Sequence, residues 1–106
     1  MKADASSPRW SFLTNHAQVL LCVARDPGMR LRAIGDAVGI TERAAHRIVV
    51  ELEAAGYLTR YRDGRRNRYE ITRSLPLPDR LARHQNVDDL LRVLADRAPT
   101  SAETRT

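Results

Sequence analysis

The sequence predicts a mainly helical α+β domain: a core of three helices, a two-stranded hairpin and one further helix. Three observations predict it. Apolar residues recur at helical spacing over 17–24 and again over 44–55, with capping and stop signals at the ends of each run. Gly39 separates a short helical stretch from a longer, capped one. Beyond Gly56, "YLTRYR" and "NRYEI" alternate on either side of Asp63 and Gly64, a strong hairpin signal.

Taken in order, the first helix is expected from Asn15 to Arg25, with Asn15 as N-cap, Gln18 three positions on, and "DPG" at 26–28 to stop it. Residues 17, 20, 21 and 24, with Val19 and Val23 beside them, make a broad apolar stripe. "MRL" at 29–31 is short and could pair as a third strand beside the hairpin. A second short helix over 32–38 buries Ile34, Ala37 and Val38, and Gly39 follows it where a left-handed backbone costs little. Ile40 packs inward and Thr41 caps a third helix, 42–55. That helix gathers Ala44, Ala45, Ile48, Val49, Leu52 and Ala55 on one face, with Arg43, His46, Arg47, Val50 and Glu51 on or near the other. "LPLPD" after Ser74 reads as a rigid extended connector, and a last helix runs from Val87 to Arg97, apolar at 87, 90, 91, 94 and 95. Asp88 and Asp89 fall in its first turn, where negative charge suits the helix dipole.

The expected organisation is a polar arm over 1–10, one folded domain over 11–74, a connector and C-terminal helix over 75–97, and a frayed tail over 98–106. With 106 residues and only five aromatics, aliphatic packing must supply most of the stability. The net charge is +5, and 17 of the 18 basic residues are arginine, whose planar fork of donors suits phosphates and guanine edges. Cys22 is the only cysteine, so no internal disulfide can form. The first ten residues lack the apolar stretch of a signal peptide, and "VLLCVA" falls far short of the ~20 residues that span a bilayer. A soluble cytoplasmic protein without membrane contact is the expectation.

Helix, glycine turn, capped helix and arginine-tipped hairpin make up the order of a winged helix-turn-helix. A helix about 10–12 Å across fits the major groove of B-DNA, while a hairpin beside it reaches the neighbouring backbone. Residues 14–72 resemble the winged helix-turn-helix of MarR/ArsR-like bacterial transcriptional regulators. The resemblance is carried by "GITER" at 39–43, "RIV" at 47–49, "AGYLTR" at 55–60 and "GRRNRY" at 64–69, a pattern similar to a small actinobacterial-type subgroup. It implies a DNA-binding regulator with Thr41, Arg43, His46 and Arg47 facing the groove and Arg65, Arg66 and Arg68 in the wing. Arg60, Arg62 and Asn67 join the wing set by position, Asn67 either on the backbone or shaping the turn. Gly35 stands where such motifs usually carry alanine, which is expected to loosen the second helix by up to ~1 kcal/mol. The chain also lacks the long flanking helices of full MarR dimers.

Five arginines against one aspartate over 60–68 is too lopsided for a merely solvated edge. Leu90, Leu91 and Leu94 have two readings: they fold back on the first helix, or they join Trp10, Phe12 and Leu13 in a two-fold dimer interface, the preferred reading. A metal site needs several converging ligands; His16 and Cys22, six apart on a helix, face different directions, so no metal or other cofactor is expected. No phosphate loop, nucleophile motif or acid/base pair points to an enzyme. The sequence therefore predicts a homodimeric regulator that binds duplex DNA sequence-specifically. The rivals are a winged helix used for protein docking and a non-specific architectural DNA binder.

Overall fold

A computed structural model describes residues 8–96. The chain runs α1 (Asn15–Arg25), α2 (Leu31–Val38), α3 (Glu42–Ala54), β1 (Leu58–Asp63), β2 (Arg66–Ile71), a 3₁₀ turn (Arg80–Ala82) and α4 (Val87–Leu94). The expected arm at 1–7 and the tail at 98–106 lie outside the described residues; residues 8–10 of the arm are exposed and irregular. The last helix, expected to reach Arg97, stops at Leu94, because Ala95 leaves helical geometry at φ −123°.

α1 starts where its first free N–H groups find an acceptor. Thr14, not Asn15, is that N-cap: its hydroxyl accepts from Ala17 N–H at 3.1 Å, and Asn15 is already helical. Asp26 ends the helix, its own N–H bonding the Cys22 carbonyl. The "MRL" stretch forms no third strand. Leu31 is already helical, and a single backbone bond beside it, Tyr69 N–H to the Pro27 carbonyl at 3.0 Å, reaches the hairpin among the described residues. Among the described residues the sheet is the two-stranded antiparallel pair alone.

α2 buries Ile34 and Gly35, whereas Ala37, expected inside, is exposed and Val38 half-buried. Gly39 closes the helix at φ 89°, and its N–H and that of Ile40 both bond the Gly35 carbonyl. Gly35 itself has no room for a side chain: an added Cβ would sit 2.8 Å from the Ile40 carbonyl oxygen. The glycine expected to loosen the helix is instead what lets the turn and the start of α3 pack onto it.

α3 begins as expected, with the Thr41 hydroxyl accepting from Ala44 N–H at 3.0 Å. It buries Ala45, Ile48, Val49 and Leu52; Ala44 is half-buried, and Ala55, beyond the last helical residue, is exposed. These residues meet Val19, Leu20, Cys22 and Val23 of α1, Ile34 of α2, and Leu58 and Tyr69 of the hairpin in one core. All but Tyr69 are aliphatic or sulfur-bearing, as the scarcity of aromatics requires.

The connector does not stay extended. Pro76 pairs antiparallel with Asn86, Leu77 N–H bonds the Gln85 carbonyl and Val87 N–H bonds that of Leu75, so the segment leaves and returns to the same point. Tyr57 anchors it by donating its hydroxyl to the Pro76 carbonyl at 2.8 Å. α4 opens with a capping box in which Asn86 and Asp89 satisfy each other's backbone N–H groups. Val87 and Leu91 are 1% and 0% exposed, and Arg25 of α1 donates to the Leu94 carbonyl at 3.3 Å. Arg73 holds the helix from the other side, bonded to Asp88 at 2.7 Å and to Asp96.

Candidate nucleic-acid interface

The outer face of α3 follows from its inner one. At 100° per residue, burying 45, 48, 49 and 52 turns 43, 47, 50 and 54 outward within an arc of roughly 60°, with 46 at its margin. Arg43, His46, Arg47 and Val50 are all exposed, as is Thr41 at the cap. Arg43 makes no ion pair or hydrogen bond among the described residues. Arg47 lies 3.6 Å from Glu51, whose other oxygen is 2.7 Å from His16 Nε2 on α1. The hydrogen bond with His16 holds the Glu51 carboxyl below its usual range, against a partly opposing desolvation and with help from Arg47.

In the hairpin, Leu58 pairs with Ile71 at the base and Asp63 with Arg66 at the top. The two residues left to turn are therefore Gly64 and Arg65, not Asp63 and Gly64. Gly64 takes φ 67°, a conformation that favours glycine, and Arg65 occupies the tip. Arg62 and Arg65 are exposed and make no ion pair among the described residues. The other wing cations have partners. Arg60 lies 3.2 Å from Glu53 at the end of α3, and Arg68 lies 3.9 Å from Asp63. Arg66 donates to the Gly28 carbonyl in the loop between α1 and α2. Asn67 is half-buried opposite Arg62.

A cleft of about 420 Å³ separates the wing from the start of α2. Arg30 and Arg32 line one wall and Arg65 and Arg66 the other, with Glu42, from the first turn of α3, the one carboxylate among its lining residues. The first turn of α3 and the wing tip thus flank a common, strongly basic opening. Arg30 and Arg32 escaped the sequence reading; the only signal was two arginines bracketing the first residue of a helix whose N-cap makes no side-chain bond.

The model of the MarR family matches residues 11–68, which covers α1 to α3 and most of the hairpin. The chain belongs to the MarR family. MarR-family proteins are DNA-binding transcription regulators of winged-helix architecture rather than enzymes, and they commonly act as dimers. No curated protein matches the chain.

Of the six residues expected at a two-fold dimer interface, Leu91 is wholly buried within its own chain, so for this residue the fold-back reading applies. Leu13, Leu90 and Leu94 are half-buried. Trp10 and Phe12 are 63% and 91% exposed and stack edge to face, centroids 5.1 Å apart. Cys22 is buried in the core, where desolvation pushes its thiol up and away from the reactive thiolate. No cluster of three metal-ligating side chains exists among the described residues, and no helix is long and apolar enough to cross a membrane.

Proposed function

We propose that this MarR-family chain binds duplex DNA sequence-specifically as a homodimer, with α3 in the major groove and the wing on the flanking backbone or minor groove. Thr41, Arg43, His46 and Arg47 face the bases. Arg60, Arg62, Arg65, Arg66, Asn67 and Arg68 serve the wing, Arg66 while also bonded to Gly28. The observation that carries the reading is one basic cleft lined by Arg30, Arg32, Arg65 and Arg66 and reached by the first turn of α3 through Glu42, next to which Arg43 is exposed and makes no ion pair among the described residues. An exposed guanidinium on the first turns of a groove-sized helix suits a bidentate guanine contact, which contributes ~1–3 kcal/mol of discrimination.

In this reading residues 11–74 form the DNA-binding unit, and Trp10 and Phe12, with Leu13, Leu90 and Leu94, join two copies. No cofactor takes part, and the protein acts in the cytoplasm on the nucleoid. Selection from a random duplex pool tests it. Enrichment of a two-fold motif, with half-sites about one helical turn apart, is expected. Arg43→Ala should erase a guanine preference. Arg65→Ala should lower affinity on all sequences alike and reduce the salt slope by about one. Binding without enrichment, or a sequence preference that changes with Arg65 and not with Arg43, overturns the reading.

A further inference from the structure

Val50 is the bulky apolar residue on the outward stripe of α3, between the polar Arg43, His46 and Arg47 and the small Ala54. It lies one heptad beyond Arg43, within roughly 20° of it around the helix axis, and Arg47 and His46 are its neighbours one turn back. The residue is 44% exposed, while Ile48, Val49 and Leu52 on either side are buried. Single exposed aliphatic residues are ordinary on protein surfaces, and Leu81 and Val93, on the connector turn and α4, are of that kind. Val50 differs in place: it lies within the arc that faces outward from α3, next to Arg43 around the helix axis.

A groove-facing apolar side chain has few partners to choose from. Base edges in the major groove offer donors and acceptors, and their one apolar feature is the 5-methyl of thymine. Valine suits that partner because its χ1 is nearly fixed in a helix, so two methyl groups are presented at one place with little ordering cost. Against cytosine or guanine the same side chain would cover a polar edge without offering it a hydrogen bond. The residue thus discriminates by attraction and by exclusion together.

We propose that Val50 is a specificity-determining residue that reads thymine through its 5-methyl group. Seven residues of helix rise about 10.5 Å and one base-pair step about 3.4 Å, so that thymine lies within roughly three base pairs of the guanine Arg43 faces. The inference rests on α3 entering the major groove.

The test uses the full chain and the duplex it selects. Each thymine in that duplex is replaced in turn by deoxyuridine, which keeps the pairing and removes only the methyl. At one position per half-site the replacement should weaken wild-type binding about threefold to fivefold, the order expected of one buried methyl. Val50→Ser has similar helix propensity at an exposed site and should keep the wild-type melting temperature. It should lose both the thymine preference in a fresh selection and the deoxyuridine penalty, and keep the guanine preference that depends on Arg43. Wild-type binding indifferent to every replacement overturns the proposal while sequence-specific binding stands. So does a Val50→Ser variant with unchanged preference and penalty. A wild-type protein that enriches no motif overturns the sequence-specific reading itself, and this inference with it.

Discussion

Gly35→Ala is a substitution for which helix propensity and packing predict opposite signs. Propensity alone says it stabilises, by ~0.8–1 kcal/mol in a helix interior. The structure says otherwise. The new Cβ would stand 2.8 Å from the Ile40 carbonyl oxygen and 3.2 and 3.3 Å from the Thr41 carbonyl oxygen and carbon. These are backbone atoms, so no rotamer change relieves the contact, and α2 must part from the turn and the N-cap residue of α3. Overpacking of this kind costs ~1–3 kcal/mol. Set against the propensity gain, the net runs from about zero to a loss of about 2 kcal/mol, centred near ~1 kcal/mol. For a domain of this size a loss of about 1 kcal/mol lowers the melting temperature by roughly 4–8 °C, read by circular dichroism or calorimetry. Because Thr41 caps α3 and its carbonyl is one of the atoms displaced, DNA affinity should also fall at temperatures where the variant stays folded. A variant that melts at or above the wild-type temperature would refute the reasoning, since it would mean the turn accommodates a methyl group at no cost.

Other perturbations separate the remaining contributions. Thr41→Ala should cost ~1 kcal/mol through the lost cap, and Thr41→Ser should restore most of it; equal melting of all three would mean the hydroxyl bond contributes nothing. Leu91→Ala should destabilise the domain by ~2–5 kcal/mol in urea titrations. Phe12→Ser should leave stability within ~0.5 kcal/mol yet weaken self-association in sedimentation, and an unchanged association state would remove Phe12 from the proposed interface. Glu51, hydrogen-bonded to His16, and Asp88, hydrogen-bonded to Arg73, both have carboxyls held below their ordinary values. A depressed folded-state value contributes stability that is fully present above the unfolded value and lost as the pH falls through the folded one. The melting temperature should therefore drop on acidification from the ordinary carboxylate range downward, and less steeply in Glu51→Gln and Asp88→Asn; parallel curves would contradict the assignment.

The helices were legible because their signals are local. Thr41, Gly39 and the buried stripe of α3 each act within a turn or two, and the hairpin follows from alternation around a glycine. What was hidden depends on residues far apart in the chain. Thr14 and Asn15 are both acceptable caps by type, and only the bond to Ala17 decides between them. Gly35 looks like a defect until the carbonyl of Ile40 is placed beside it. Nothing in composition joins His16 to Glu51, 35 residues away, or folds the "LPLPD" segment back through Pro76 and Asn86. For the candidate interface, the identity of the arginines was plain, but their employment was not. Arg60, Arg66 and Arg68 each have a protein partner, while Arg30 and Arg32 reach the same cleft from a part of the sequence that carries no motif.

The wing is fastened below its tip. Tyr69 gives its N–H to Pro27 and Arg66 its guanidinium to Gly28, so β2 is tied to the loop that launches α2, and Arg60 ties β1 to the end of α3. Hairpin and helix then behave as the two jaws of a caliper set to a fixed opening. The cost of ordering the wing is met during folding instead of at the moment of binding. In the proposed DNA-bound arrangement, a duplex would have to fit that opening or bend to it. Sequences that deform easily would gain affinity at base pairs no side chain touches.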